Sequence, residues 1–245
     1  MPYGDNMTPD LSVVVLCYKS GKDIIPFSQR MVSLLEQTGA TWELVLVGNY
    51  NRGDTNDQTP AIVRKIAEQD PRIKAITLVK EGWMGWDART GLNAATGKAI
   101  ALIDGDNQMP PEDVLRVYEH MTGNNLDLVT TFRKRRGDGL GRIIQSFGYN
   151  MVFRCLFPGV GVTDVNSKPK LLRRELFDKL ALTSNDWFLD SEILVQVRRH
   201  KARIGEIPTV FLQSESRRSF VRLSSILEFL VNLLRTRWRE FFIKA

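Results

Sequence analysis

The first half of the chain alternates between short apolar runs and longer segments whose apolar residues recur at helical spacing. The apolar runs that predict buried strands are 11–18, 42–48, 72–79, 98–104 and 126–132. The segments that predict helices between them are 22–37, 59–69, 87–96 and 110–121. Strands that alternate with helices in this way indicate a mostly parallel central sheet with helices on both faces. The predicted fold class is therefore α/β.

The pattern changes after Arg133. The polar, glycine-rich stretch "RKRRGDGLG" predicts a loop, 142–157 predicts an apolar helix and 202–211 predicts a strand. The last segment, 222–245, predicts an amphipathic helix that polar residues interrupt too often for it to span a bilayer. The apolar stripe of this helix consists of Leu223, Leu227, Leu230, Leu234, Trp238 and Phe241.

Length and charge add expectations about domains and partners. The 245 residues suffice for one large domain, which we place at 1–215, followed by a helical appendage over 216–245. The net charge is +6, and the basic excess gathers in the tail and in the cluster Arg133–Arg136. Such clusters suit a phosphate, a membrane surface or a nucleic acid. A nucleic-acid-binding module would need aromatic side chains among its cations, and "RKRRGDGLGR" contains none, so we expect no nucleic acid partner.

Two further observations bear on the compartment. Cys17 and Cys155 show no C-x-x-C spacing. The stretch "MPYGDNMTPDLS" lacks the basic and apolar regions of a signal peptide. We therefore expect a reducing, cytoplasmic compartment.

The stretch "AIALIDGDNQMPPEDV" (Ala99–Val114) places two carboxylates directly after a buried strand. In an open parallel sheet, ligands bind beyond the carboxyl ends of the strands. Asp104, Asp106 and Gln108 alternate along the chain, so on an extended path their oxygens face one side and suit a hard cation such as Mg²⁺ or Mn²⁺. Such an ion keeps coordination sites open for the oxygens of a diphosphate. The alternative interpretation is a turn, for which Asp-Gly-Asp is also suited.

Four segments of the chain carry a family resemblance: "GWDARTGLNAATGKAIALIDGD", "LIDGDNQMPPEDV", "VTDVNSKPKLLRREL" (Val162–Leu176) and "ARIGEIPTVF". The second resembles the D-x-D-x-Q-x-P-P-E signature of family-two glycosyltransferases, specifically the dolichol-phosphate mannose synthase branch. The first is similar to the segment that leads into this signature. The third is similar to the acceptor-side segment V-x-D-x-x-S-G-F-R-x-x-R-R-E, and the fourth to the strand that closes the catalytic half. The resemblance covers about 11–229.

The resemblance implies a GT-A fold and an inverting transfer of a hexose from a nucleotide diphosphate sugar. It implies catalytic roles for Asp104 and Asp106 around a Mg²⁺ or Mn²⁺ ion, with Asp106 and Gln108 as direct ligands. The cation would act as a Lewis acid on the leaving nucleoside diphosphate. The residues that it assigns to the nucleotide sugar are Tyr18, Asn49, Asp54, Arg89, Asp104, Gly105 and Asp106.

The chain departs from the family pattern after its first two strands. The family motif V-I-P-x-Y-N-E reads "VVLCYKSG" here, and V-D-D-G-S reads "VGNYNRGD", with Gly48 and Asn49 in place of the two aspartates. Those family positions hold the base and the ribose, so the identity of the nucleotide stays open. On the acceptor side S-G-F-R reads "SKPK", which leaves the acceptor contacts open as well.

The acceptor that we favour is a polyprenyl phosphate. The residues that the resemblance assigns to the acceptor are Arg133, Arg135, Arg136, Asp164, Ser167 and Lys170. Arginine forks suit phosphate oxygens. The alternative is transfer to a hydroxyl of a lipid-linked or soluble saccharide. Asp190 is also assigned a catalytic role, because it stands where many inverting relatives have a general base. It distinguishes the two acceptors, because a hydroxyl needs a base there and an ionised phosphate does not.

The C-terminal stripe predicts docking on an anionic membrane surface, with Arg235, Arg237, Arg239 and Lys244 at the headgroups. The protein would then lie at the inner face of the cell membrane without crossing it. The alternative is that the stripe packs on the domain's own core or on a second subunit, which would make a homodimer. A scaffold that has lost catalysis is a further alternative, but carboxylates gathered at one site without a cation would repel each other.

Overall fold

Apolar and β-branched runs form the strands of a mixed sheet. The computed structural model describes residues 8–136, 140–212 and 231–240. The strands are β1 (Leu11–Leu16), β2 (Trp42–Val47), β3 (Ile73–Ile76), β4 (Ala99–Asp104), β5 (Leu128–Arg136), β6 (Lys170–Arg173) and β7 (Ile204–Phe211). Their order in the sheet is β3-β2-β1-β4-β6-β5-β7. β6 is antiparallel to both of its neighbours and the other pairings are parallel, which confirms the predicted mostly parallel α/β sheet.

The helices connect these strands along the chain. A 3-10 turn at Gly21–Asp23 precedes the first helix. The helices are α1 (Ile24–Leu35), α2 (Thr59–Ala67), α3 (Met84–Ala94), α4 (Glu112–Asn124), α5 (Leu140–Leu156), α6 (Arg174–Phe177) and α7 (Leu189–Arg199). Pro60 in the first turn of α2 and Pro111 at the N-cap of α4 cost no helical hydrogen bond there. Residues 231–240 form a further helix.

Alternate residues of the central strands enter two cores, because side chains along a strand point to opposite faces. In β1, Val14 joins the core formed with α3, α5 and α7, whereas Val13 and Val15 join the core formed with α1, α2 and α4. All six residues of β1 and of β2 are buried. Burial on both faces explains why these strands are continuous apolar runs in the sequence.

The antiparallel β6 decides which residues reach the carboxyl edge of the parallel strands. β4 ends at Asp104, and Lys170 at the start of β6 pairs with Leu102 of β4. Since β6 runs opposite to β4, its first residues lie at the edge where β4 ends. The segment 162–169, which leads into β6, therefore lies beside the loop that follows β4.

One predicted element is wrong, and one strand of the sheet was not predicted. The cluster Arg133–Arg136, whose composition predicts a loop, belongs to β5 and pairs with β7 as far as Phe211. Ladder hydrogen bonds, with a register irregularity between Arg133 and Arg135, keep this polar segment extended. The strand that was not predicted is β6, which is four residues long and begins with a buried lysine, so no apolar run marks it.

The helix 231–240 packs on the domain through one face. Leu233 is fully buried in the core that contains α7. Glu240 accepts hydrogen bonds from Arg198 at 2.7 Å and from Arg199 at 2.8 Å. The predicted boundary at 215 lies outside the described residues.

The described part of the predicted apolar stripe does not share this buried face. Its two described members, Leu234 and Trp238, are 58% and 67% exposed. The residues of the membrane prediction that lie outside the described part of the chain are Leu223, Leu227, Leu230, Phe241 and Lys244. Among the helices that the structure describes, none is both long and apolar enough to cross a membrane.

Candidate active site

The loop after β4 carries the predicted metal-binding residues. Asp104 ends β4, Asp106 and Gln108 follow it, and all three are half-buried at the carboxyl edge of the sheet. Asp106 Oδ1 accepts a hydrogen bond from the Gln108 backbone N–H at 3.0 Å. The Gln108 carbonyl accepts one from the Leu212 N–H, just after β7, at 2.8 Å. The end of β7 therefore holds this loop in place.

Gly105 allows the loop to lie directly against β1. Its N–H donates to the Leu16 carbonyl at 2.9 Å. A Cβ at this position would come within 2.9 Å of side-chain atoms of both Val15 and Ile24. A larger residue would push the loop away from β1, so the glycine between the two aspartates is required by packing. Its contact with a nucleotide sugar stays a prediction.

The chemistry of this loop fits a hard divalent cation. Two carboxylates and an amide oxygen are ligands that Mg²⁺ and Mn²⁺ accept, and one third of the Asp104 side chain is exposed. Within the described ranges, no group of three or more His, Cys, Asp or Glu side chains could hold a metal by itself. A cation at Asp104, Asp106 and Gln108 would therefore also need oxygen atoms from water or a bound substrate.

Two buried lysines and a second aspartate lie beside this loop. Lys170 Nζ donates to Asp190 Oδ1 at 2.7 Å and to the Ser167 carbonyl at 2.6 Å. Lys168 Nζ lies 3.3 Å from Asp190 Oδ2 and 3.3 Å from Asp104 Oδ2. Lys168 thus bridges the carboxylate at the end of β4 and the carboxylate on α7. We call Asp104, Lys168, Lys170 and Asp190 the charged cluster.

The fold explains how the charged cluster assembles. β6 begins at the edge where β4 ends, which places Lys168 and Lys170 beside Asp104. α7 begins next to them, and Asp190 lies in its first turn. An acidic residue in the first turn of a helix is also stabilised by the positive end of the helix dipole.

The members of the charged cluster shift one another's pKa values. Burial by itself would raise the pKa of Asp190, but the ammonium groups of Lys168 and Lys170 outweigh burial and lower it below its usual range. Burial also opposes the charge of Lys168, yet Asp104 and Asp190 raise its pKa. Burial lowers the pKa of Lys170, and Asp190 acts in the opposite direction. Asp190 is therefore a carboxylate that two lysines hold in its ionised form.

Two of the predicted acceptor residues bind each other. Arg133 donates from Nε and Nη2 to the two carboxylate oxygens of Asp164, both at 2.7 Å. Glu206 of β7 holds the same segment by accepting hydrogen bonds from the backbone N–H groups of Thr163 and Asp164. The Arg133–Asp164 pair therefore fixes the segment before β6 to the end of β5. The side chains of Arg135 and Arg136 lie outside what the structure describes.

Ser167, also predicted to contact the acceptor, is fully buried. Its hydroxyl lies 2.7 Å from Thr131 Oγ1, and the Thr131 hydroxyl is also 2.7 Å from the Lys168 carbonyl, which accepts from it. Ser167 thus anchors the backbone that carries the two lysines to β5. Acceptor contacts by Ser167 and Lys170 stay predictions.

Two of the predicted nucleotide residues lie together after β1. The Tyr18 hydroxyl accepts a hydrogen bond from Asn51 Nδ2 at 2.9 Å. Lys80 Nζ lies 4.3 Å from the centre of the Tyr18 ring. Lys19, next in the chain, forms an ion pair of 2.9 Å with Asp54. Tyr18 and Asp54 therefore belong to one polar surface at the carboxyl edge of the sheet.

Asn49 is fully buried, and its amide is engaged inside the protein. Its Oδ1 accepts from the Leu78 N–H at 2.8 Å, and its Nδ2 donates to Asp87 and Thr90, each at 3.0 Å. Asp87 in turn forms an ion pair with the buried Lys80. Asn49 therefore supports the Lys80–Asp87 pair from within the fold, and its contact with a nucleotide stays a prediction.

Arg89 ties α3 to the loop that precedes α7. Its guanidinium donates to the Thr183 carbonyl at 3.0 Å and to the Asn185 side chain. Glu192 holds the same loop by accepting from the N–H groups of Thr183 and Ser184, each at 2.9 Å. Arg89 is therefore engaged with the protein itself, and its contact with a nucleotide stays a prediction.

The sequence-based predictions omit Lys168, Lys80 and Asp87. The available signal for Lys168 is its position, since it stands where the resembling motif S-G-F-R has glycine. Lys80 and Asp87 carry no comparable signal. Their ion pair forms because α3 packs on β1 and β2, which a linear pattern does not display.

Solved structures share this fold. Glucosyl-3-phosphoglycerate synthase from Mycobacterium tuberculosis, in complex with Mn²⁺, UDP and glucosyl-3-phosphoglycerate, has a TM-score of 0.67 and 18% identity, covering 94% of this chain and 80% of that chain. The same synthase in complex with Mg²⁺ and UDP has a TM-score of 0.65 and 18% identity, covering 94% and 79%. At this identity the likeness shows the fold, and the expected GT-A fold is confirmed.

Sequence relatives and a family profile also match most of the chain. The undecaprenyl-phosphate 4-deoxy-4-formamido-L-arabinose transferases of Salmonella paratyphi B and Salmonella newport are each 26% identical over 229 residues, which cover 92% of this chain and 68% of the relative. The profile described as Glycosyl transferase family 2 matches residues 12–181, more than half of the chain. The chain therefore belongs to glycosyl transferase family 2, and it is a glycosyltransferase.

Proposed function

We propose that the protein is a metal-dependent, inverting glycosyltransferase that moves a hexose from a nucleotide diphosphate sugar to a polyprenyl phosphate. The names of the Salmonella relatives support the acceptor class, because they are transferases to undecaprenyl phosphate. The Mn²⁺, Mg²⁺ and UDP in the solved neighbours support the donor class and the cation. The observation on this chain that carries the proposal is the environment of Asp190.

Asp190 is poorly suited to act as a general base. The residue is 2% exposed, and its two carboxylate oxygens face Lys170 at 2.7 Å and Lys168 at 3.3 Å. A general base must reach the proton that it removes and must have a pKa near the working pH. The buried ion pairs and the lowered pKa of Asp190 oppose both requirements. An acceptor that is already ionised needs no base, so this arrangement supports a phosphate acceptor over a hydroxyl acceptor.

The residues at the carboxyl edge would have separate roles in this reaction. A Mg²⁺ or Mn²⁺ ion held by Asp106 and Gln108, with Asp104 beside it, would supply Lewis-acid stabilisation of the leaving diphosphate. The basic run Arg133–Arg136 supplies positive charge in the sequence that would favour the approach of an anionic acceptor. The acceptor's own phosphate oxygen is the nucleophile, and it attacks the anomeric carbon opposite the leaving group, which inverts that centre.

We also propose that the protein docks on an anionic membrane at the cytoplasmic face, where its lipid acceptor lies. On the helix 231–240, Leu234 and Trp238 are exposed next to the exposed cations Arg235 and Arg239. An exposed apolar face beside cations is typical of helices that lie in the membrane interface. Each cation near an anionic surface contributes about 1 kcal/mol of attraction.

α5 adds a second exposed apolar face to this proposal. Ile144, Phe147 and Met151 recur at helical spacing and are 69%, 62% and 49% exposed. α5 follows the cluster Arg133–Arg136 in the chain, and its Tyr149 contacts Ser191, the neighbour of Asp190. The exposed face of α5 is thus carried by a helix that packs beside the charged cluster, which suits an acceptor delivered from a lipid surface.

A transfer assay with matched lipid acceptors tests the proposed function. The full chain receives Mn²⁺ and a panel of UDP-, GDP- and dTDP-sugars, with either undecaprenyl phosphate or undecaprenol in detergent micelles. We expect one donor to give a glycosylated lipid phosphate with inverted anomeric configuration, and we expect no product from undecaprenol. The lipid products are identified by mass spectrometry and their anomeric configuration by NMR.

Two outcomes would overturn parts of the proposal. Transfer to undecaprenol or to a soluble saccharide, with none to undecaprenyl phosphate, would show that the acceptor is a hydroxyl. Equal turnover in EDTA and in Mn²⁺ would show that the reaction does not need the cation.

A further inference from the structure

Lys168 occupies a position between the predicted metal site and the rest of the charged cluster. Its ammonium lies 3.3 Å from Asp104 Oδ2, and its side chain is only 5% exposed. The partly exposed Asp104 therefore already has a positively charged partner, the Lys168 ammonium, which approaches it from the buried side. A divalent cation that uses Asp104 must share this carboxylate with Lys168.

We propose that Lys168 is a positioning residue that competes with the divalent cation for Asp104, so that the cation binds tightly only together with a diphosphate. This inference rests on the proposed function, in which Asp104 lies beside the cation. It adds a coupling between two ligands, because the cation and the diphosphate of the donor would each strengthen the binding of the other.

The charges at the site give the physical reason. Asp104 and Asp190 carry two negative charges, and Lys168 and Lys170 carry two positive ones, so the charged cluster is balanced. A dication alone would leave an excess of positive charge and would repel the Lys168 ammonium across one shared carboxylate. A diphosphate brings the negative oxygens that offset this excess.

The alternative is that Lys168 only neutralises Asp190 and has no influence on the metal. Lys170 separates the two explanations, because it is equally buried but binds Asp190 and the Ser167 carbonyl instead of Asp104. A matched pair of variants, Lys168→Met and Lys170→Met, therefore removes one buried ammonium each. Both variants leave Asp190 with one lysine partner.

The experiment measures Mn²⁺ binding to the full chain by electron paramagnetic resonance, with the metal alone and again with inorganic pyrophosphate. We expect the wild type to bind Mn²⁺ weakly when the metal is added alone. With pyrophosphate present, the wild type should bind Mn²⁺ at least tenfold more tightly than free pyrophosphate binds Mn²⁺ in solution. Lys168→Met should bind Mn²⁺ alone at least tenfold more tightly than the wild type. Lys168→Arg should behave as the wild type, and Lys170→Met should differ from it by less than threefold.

Two results would overturn the inference. One is Mn²⁺ affinity in Lys168→Met that equals or falls below that of the wild type, with circular dichroism showing a folded protein. The other is a gain in Mn²⁺ affinity in Lys170→Met equal to that in Lys168→Met, which would show that only the net charge of the site matters. Because this readout uses no acceptor, a failed transfer assay would count against the proposed function and leave the Mn²⁺ result interpretable.

A structural measurement on the wild type covers the case in which Lys168→Met does not fold. Crystals soaked with Mn²⁺ and pyrophosphate should show the Lys168 Nζ to Asp104 distance lengthened beyond ion-pair range. An intact pair with Mn²⁺ bound at Asp104 would contradict the competition.

Discussion

The contact between α3 and the loop before α7 can be tested with a single methyl group. Gly85 lies in the first turn of α3, and its N–H donates to the Asp186 carbonyl at 3.0 Å. A Cβ at this position would lie 2.3 Å from that carbonyl oxygen and 2.7 Å from the Ser184 carbonyl oxygen. Both contacts are with backbone and far below van der Waals distance, so Gly85→Ala must displace the loop from the helix.

The expected cost follows from these contacts. Overpacking of this kind destabilises a protein by about 1–3 kcal/mol. The displacement also weakens two backbone hydrogen bonds, from Gly85 to Asp186 at 3.0 Å and from Trp83 to Asn185 at 2.7 Å, each worth about 0.5–1.5 kcal/mol. We therefore expect the free energy of unfolding to fall by about 2–4 kcal/mol. In a chain of this size the melting temperature would fall by roughly 4–16 °C.

Gly123→Ala is the matched control. It makes the same chemical change near the end of α4, where a Cβ would meet nothing within 4 Å. Alanine is the better helix former, so this variant should gain about 0.5–1 kcal/mol. Urea unfolding followed by circular dichroism measures both proteins. If Gly85→Ala were as stable as Gly123→Ala, the close packing of α3 against the loop at 183–186 would be wrong.

Four other changes have defined outcomes. Asp106→Ala should abolish transfer and pyrophosphate-dependent Mn²⁺ binding while changing the unfolding free energy by less than about 1 kcal/mol, since the residue is half-buried in a loop; retained transfer would contradict the metal assignment. Alanine at Arg135 and Arg136 together, which leaves the Arg133–Asp164 pair intact, should lower transfer and leave donor affinity in calorimetry nearly unchanged, whereas weaker donor binding would place these residues on the donor side. Because the pKa of Asp190 is lowered in the native state, its carboxylate stabilises the fold above its unfolded pKa of about 4, and this stabilisation is lost as the pH falls through the lower native pKa. Asp190→Asn should therefore lower the free energy of unfolding by about 3–5 kcal/mol at pH 6. In urea titrations, the difference in stability between this variant and the wild type should narrow below pH 4. Finally, the full chain should float with anionic liposomes at low salt and Trp238→Glu should weaken this flotation; a wild-type chain that stays in the soluble fraction would show that the helix 231–240 does not dock on membranes.

Much of the strand pattern could be predicted because β1, β2 and β4 are buried on both faces, and complete burial leaves a continuous apolar run in the sequence. The same logic fails for β5 beyond Phe132. There the strand continues through Arg133–Arg136, held by ladder hydrogen bonds to β7. Backbone pairing with a distant strand requires no apolar side chain, so composition alone predicts a loop at this place.

The candidate site likewise contains some residues whose placement could be predicted from the sequence and others whose placement could not. Asp104, Asp106 and Gln108 could be predicted to share one oxygen-rich loop because they follow one strand directly, and the structure shows them in one loop at the carboxyl edge; their binding of a metal stays a prediction. The partners of Asp190 could not be predicted, because Lys170 begins a short antiparallel strand and Lys168 lies in the segment just before it. The hydrogen-bond partners of Asn49 and Arg89 could not be predicted either, since they lie on α3 and in the loop before α7.

By itself, the sequence determined the α/β class, the family and the position of the aspartate loop, because each depends on local burial patterns or on neighbouring residues in one motif. Only the tertiary structure decided that Lys168 lies between Asp104 and Asp190, and that Asp190 is a buried, paired carboxylate. The physical reason is that β6 runs against its neighbours, which carries the segment before it back to the edge where β4 ends. The electrostatic state of a carboxylate depends on the charges around it in space, and here topology sets those charges.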